Sequence, residues 1–155
     1  MSEITLTRVI SASPERVWEV LTDLEHAAQT LSGVTSVQLM TDGPYAVGTR
    51  WRETRTMFGR SATEEMWVAE CDPLRRTEVR AESGGVAFVT QFQLMLLTDG
   101  TETELSMRFA ADTTKSSGLQ SVAMKMFGRF AARASRKSLE QDLADIAAAA
   151  ETPSR

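Results

Sequence analysis

The 155 residues contain one cysteine, one histidine and one tyrosine. Cys71 alone cannot close an internal disulfide, which excludes a cross-linked scaffold and fits a reducing compartment. A Ser-His-Asp arrangement would have to run through His26, and nothing places a serine beside it. Metal ligation by His26 and Cys71 would need two further ligands at suitable spacing, and no such cluster is visible, so neither a metal nor a cofactor is expected. A phosphate-cradling loop is also missing, because Gly84-Gly85 precedes a strand-like run and not a helix. No apolar run approaches the ~20 residues that span a bilayer. The first residues, MSEITLTRVI, lack a basic stretch followed by an apolar one, so no secretory signal and a cytoplasmic location are expected. Basic excess is absent too. Lys and Arg number 17 against 21 Asp and Glu, for a net charge of -4, and no nucleic-acid partner is expected.

What is present is an ordinary globular composition, 42% hydrophobic and 25% charged, enough for one domain with a core. We place that domain at 1–151 and a disordered tail at 152–155. Ile4 to Ile10 reads as a strand. Ser13-Pro14-Glu15 then opens a helix, with Ser13 as N-cap, Pro14 at the first helical position and Glu15 at the positive helix end. Val17, Trp18, Leu21 and Leu24 form its apolar stripe. A second helical turn is expected over His26 to Leu31. Strands follow at Val34–Met40, Val47–Phe58, Ala62–Cys71, Thr77–Ala81, Val86–Leu97 and Glu102–Asp112, separated by turn signals such as Asp42-Gly43-Pro44 and Thr98-Asp99-Gly100. Consecutive strands with tight turns predict an antiparallel sheet, and a terminal helix after them predicts an α+β fold.

From about Ser117 to Glu151 the chain is rich in good helix formers, with Gly128 its only interior glycine. At ~1.5 Å per residue such a helix would cross a small domain. Leu139, Leu143 and Ile146 share one side, while Leu119, Met126 and Phe130 point roughly opposite. Either the helix bends near Gly128, or its first half is apolar on two sides, one of them toward a cavity mouth or a partner. The middle is basic, with Lys125, Arg129, Arg133, Arg136 and Lys137 among Met124, Met126, Phe127 and Phe130. That pattern is a solvated outer face or a docking stretch.

Two strands resist assignment of an inner face. In Val47–Phe58, Trp51, Glu53, Arg55 and Met57 alternate with Arg50, Arg52, Thr54 and Thr56, and neither set is apolar. If the Trp51 face points inward, Glu53 and Arg55 become buried ionisable groups, either an interior ion pair or functional residues. In Ala62–Cys71, Glu65 and Trp67 share one face, which we expect to look into a cavity, against Glu64, Met66, Val68 and Glu70. Phe88, Thr90 and Phe92, and Met107 and Phe109 with Leu105, are expected to face inward as well.

The order of elements, with three local stretches, resembles the START-like helix-grip (SRPBCC) superfamily, in its polyketide cyclase/dehydrase and lipid-transport branch. The stretches are Ile10-Ser11-Ala12-Ser13-Pro14-Glu15-Arg16-Val17-Trp18, Val47-Gly48-Thr49-Arg50-Trp51-Arg52 with Asp72-Pro73-Leu74-Arg75-Arg76, and Asp142-Leu143-Ala144-Asp145-Ile146. The resemblance implies a seven-stranded antiparallel sheet gripping the long helix around a mostly apolar cavity. Three functions are compatible with it. The first is a carrier or sensor of a small hydrophobic or aromatic molecule, held by Trp51, Met57, Trp67, Phe88, Thr90, Phe92, Met107, Phe109, Met126 and Phe130. The second is a polyketide aromatase, cyclase or dehydratase, in which Arg55 would stabilise enolate charge and Glu53 or Glu65 would move a proton. The third is a co-chaperone-like interaction module using the basic helix half. A monomer or a homodimer is expected.

Overall fold

The computed structural model describes residues 2–57, 59–83, 86–97, 99–112 and 136–152. The first strand, β1 (Ser2–Ile10), leads into α1 (Pro14–Thr22) and α2 (Ala27–Thr30). Six strands follow: β2 (Val34–Leu39), β3 (Arg50–Met57), β4 (Arg60–Asp72), β5 (Arg76–Ser83), β6 (Val86–Leu96) and β7 (Thr103–Asp112). Residues 136–151 are helical, as the terminal helix requires. The earlier part of that expected helix, 117–135, lies outside the described residues, as do residues 153–155 of the expected tail.

The seven strands form one antiparallel sheet in the order β1-β7-β6-β5-β4-β3-β2. From β2 onward each strand pairs with the next, as tight turns dictate. The exception is β1, which pairs with β7 at one edge while β2 forms the other. The chain must therefore cross from one edge to the other directly after β1, and α1 and α2 make that crossing. Ser13 starts α1 as its sequence predicts: its Oγ accepts from the backbone N of Arg16 at 3.2 Å, and Pro14 occupies the first turn. Register shifts at Val34/Ser36 and Val68/Glu70 mark bulges, which bend a sheet.

The main core lies where the C-terminal helix meets α1 and the β1–β7 edge. Leu139, Leu143 and Ile146 pack there with Ile10, Val17 and Leu105, and none of these six is more than 8% exposed. A smaller cluster gathers Trp51, Val68 and Val79 beneath Leu24 and Tyr45. Two carboxylates of the C-terminal helix tie it to the segments that flank α1 and α2. Glu151 accepts from Ser11 N at 2.9 Å, and Asp145 accepts from both the backbone N and the hydroxyl of Ser32, at 2.8 and 2.9 Å. No helix among the described residues is long and apolar enough to cross a membrane.

Candidate functional site: a cavity between helix and sheet

A cavity of about 230 Å³ separates the two clusters. Its apolar walls come from the whole chain. The crossing segment supplies Val20 and Leu21 from α1, Leu24 from the link between the helices and Leu31 just after α2. The sheet supplies Trp51, Met66 and Val79 on one side and Phe92, Met107 and Phe109 on the other, and the C-terminal helix adds Leu139 and Ile146. Tyr45 also lines it. The Tyr45 hydroxyl lies 2.7 Å from Thr77 Oγ1, which donates to the Glu70 carbonyl at 3.0 Å, so the tyrosine is the donor of the pair. Burial, against the pull of that bond, pushes the phenol up to about 12.

One end of the cavity is ionic. Of the two open parities in β3, Trp51, Glu53 and Arg55 face inward. Arg55 Nε donates to Glu53 at 2.8 Å. Its Nη1 and Nη2 donate to the two oxygens of Asp142, at 3.1 and 2.8 Å, in a fork that ties β3 to the C-terminal helix. Ser138 Oγ is 3.4 Å from Nη1. Burial opposes the charge on Arg55, but Asp142 and Glu53 outweigh it and hold the proton more firmly than usual. For Asp142 burial wins, raising its carboxyl against the pull of Arg55. The geometry favours an ionised pair, because a bidentate fork needs the carboxylate.

β4 reverses the expected parity. Ala62, Glu64 and Met66 line the cavity, whereas Glu65 and Trp67 lie on the outer face. The register explains this: Trp51 stands opposite Met66, and Arg50 opposite Trp67. Outside, Arg50 binds Glu65 at 3.0 Å and sets its guanidinium 4.9 Å above the Trp67 ring. Trp67 is thus covered by a cation and not by a ligand wall, and Glu65 is held in a surface ion pair.

Of the remaining candidates, Thr90, Phe92, Met107 and Phe109 line the cavity. Phe88 shares their strand face but stands beyond the cavity, stacked on Phe109 at 5.8 Å between ring centroids. Met57 ends β3, and its side chain lies outside the described residues, as do Met126, Phe130 and most of the basic stretch. His26 caps nothing in the cavity; its Nδ1 is 2.9 Å from Asp23 on the surface. The described residues contain no cluster of three or more potential metal ligands.

Sequence reasoning missed Glu64 and Asp142. Asp142 was readable: it sits three residues after Leu139 and four before Ile146, a charge on the buried helix face. Glu64 had no such signal, because β4 has no clean apolar side. Burial and the neighbouring charge of Glu53 raise its carboxyl above the usual range, with Arg55 pulling the other way.

A sheet wrapped on a terminal helix over an internal cavity defines a helix-grip protein. The chain belongs to the family described as polyketide cyclase / dehydrase and lipid transport, which matches residues 1–151. Its backbone is similar to that of the Zhui aromatase/cyclase from Streptomyces sp. R1128, with a TM-score of 0.79 at 18% identity over 97% of this chain and 93% of that one. The protein TTHA0849 from Thermus thermophilus superposes with a TM-score of 0.73, at 18% identity over 96% and 97% of the two chains. The di-domain ARO/CYC StfQ from the steffimycin biosynthetic pathway gives 0.75 at 11% identity, over 96% of this chain and 50% of that one. At these identities the likeness establishes the fold. No functionally curated protein matches the sequence.

Proposed function

We propose that the protein binds a small hydrophobic or aromatic molecule in this cavity, as a carrier or sensor. The observation that carries the reading is an apolar cavity whose one cation among the described residues is already consumed. Arg55 gives its donors to Glu53 and Asp142, so it has little left for an enolate or carbonyl oxygen. Of the two carboxylates expected to move a proton, Glu53 is bound to Arg55 and Glu65 stands outside the cavity.

A second reading, cyclisation or dehydration of a polyketide-like chain, draws support from the family and from Glu64. A partly buried carboxyl with raised proton affinity is suited to general acid work. In that reading Glu64 takes the role expected of Glu65, and Arg55 positions the site.

Native mass spectrometry of the purified protein, with extraction of whatever it retains, tests both. A bound apolar compound recovered unchanged after incubation supports the carrier. Recovery of a cyclised or dehydrated product supports the enzyme. Protein that is empty, and that takes up no added apolar compound, overturns both.

A further inference from the structure

The charged groups that line the cavity are unequal in number. Among the described residues they are Asp23 from the end of α1, Glu53 and Arg55 from β3, Glu64 from β4 and Asp142 from the C-terminal helix. Asp23 is occupied by His26 at the surface. Arg55 is shared by Glu53 and Asp142, so that triad already carries more negative than positive charge. Glu64 stands directly opposite Glu53 in the β3–β4 register and makes no hydrogen bond or ion pair among the described residues. On the same wall, Trp51 is 3% exposed, and its indole N–H meets no acceptor among the described residues. The cavity therefore presents polar groups that the described residues leave unmet.

We propose that this end of the cavity selects its ligand by charge: it takes a hydrophobic molecule bearing a protonated amine, seated at Glu64, and excludes one bearing a carboxylate. The proposal rests on the cavity being a ligand site. An ammonium group would relieve the repulsion between Glu64 and Glu53 and supply the donors that Glu64 lacks. Aromatic walls such as Trp51 and Tyr45 tolerate a cation better than an anion. A ligand carboxylate would add a like charge beside Glu53 and Glu64 and find Arg55 already paired with two carboxylates, with one N–H of Nη2 left over. The single neutral N–H of Trp51 does not offset that. Burial of Glu64 strengthens both effects, because charges interact more strongly where water is scarce.

The test uses three probes of one shape: naphthylmethylamine, naphthylmethanol and naphthoate, titrated calorimetrically into the intact protein at neutral pH. The expected order is amine, then alcohol, then carboxylate, with the amine about tenfold or more tighter than the carboxylate. Glu64→Gln should remove most of that ratio, while Glu64→Asp, which keeps the charge, should retain it. A carboxylate that binds as tightly as the amine overturns the proposal. So does an unchanged ratio in Glu64→Gln, provided its circular dichroism matches the parent. If the alcohol binds and charge has no effect, only the selectivity fails. If none of the three binds, the cavity reading fails with it.

Discussion

Glu64 carries its carboxyl on the cavity wall opposite Glu53, and burial together with that neighbour makes it hold its proton to higher pH than in the unfolded chain. A raised carboxyl contributes stability that is complete below the ordinary carboxylate range and is lost as pH rises through the folded value. Glu64→Gln should therefore unfold at higher temperature than the parent at neutral pH, and the gain should vanish in acid, where the parent is protonated too. Thermal melts across the two conditions check the sign. An equal gain at both pH values would show that charge is not the cause. Glu65, one residue on, has a different fate because strand side chains alternate between faces. The expectation that Trp67 and Glu65 look inward followed the larger aromatic. Arg50 reversed it by covering the ring from outside, and Met66 filled the inner position opposite Trp51. A composition rule cannot see that choice, since Arg50 is distant from Trp67 along the chain and meets it only through the β3–β4 register.

The Arg55–Asp142 fork works between elements. It holds the C-terminal helix against β3 at the polar end of the cavity, while Leu139, Leu143 and Ile146 hold the same helix against the β1–β7 edge. Arg55 is 24% exposed at its side chain, Glu53 11% and Asp142 6%, so removing the cation strands two poorly hydrated carboxylates. Arg55→Met should cost roughly 3–5 kcal/mol in urea denaturation at neutral pH. A loss well under about 1 kcal/mol, the scale of an exposed pair, would mean that water reaches this end of the cavity freely. The elements themselves were plain from the chain. Ser13-Pro14 marked the start of α1, turn residues separated the strands, and the described strand ends depart from the expected ones by a few residues at most. What no local pattern carries is the partner of β1, whose neighbour β7 closes the sheet from the far end of the strand series.

For the whole molecule, the cavity leaves apolar walls without packing partners among the described residues, and an occupant that binds only the folded state adds its binding energy to stability. A ligand supplied at about 100 times its dissociation constant should raise the melting temperature by roughly 5–10 °C for a chain of this size. A bound compound that shifts the melt by nothing would be seated outside the cavity. The sequence by itself determined the class of fold. Period-two runs, punctuating glycines and a terminal helix with Leu139, Leu143 and Ile146 on one side are local features, and local sterics and apolar spacing suffice to produce them. Tertiary structure alone decided which face of β3 and β4 looks inward, and hence that Glu64 and not Glu65 borders the cavity. Both faces of β4 mix charge with apolar surface, and in β3 the face that carries Trp51 carries Glu53 and Arg55 as well, so apolar burial along the strand does not decide the matter by itself. The decision falls to contacts made across the sheet and onto the helix: Arg55 with Asp142 inside, and Arg50 with Glu65 and Trp67 outside.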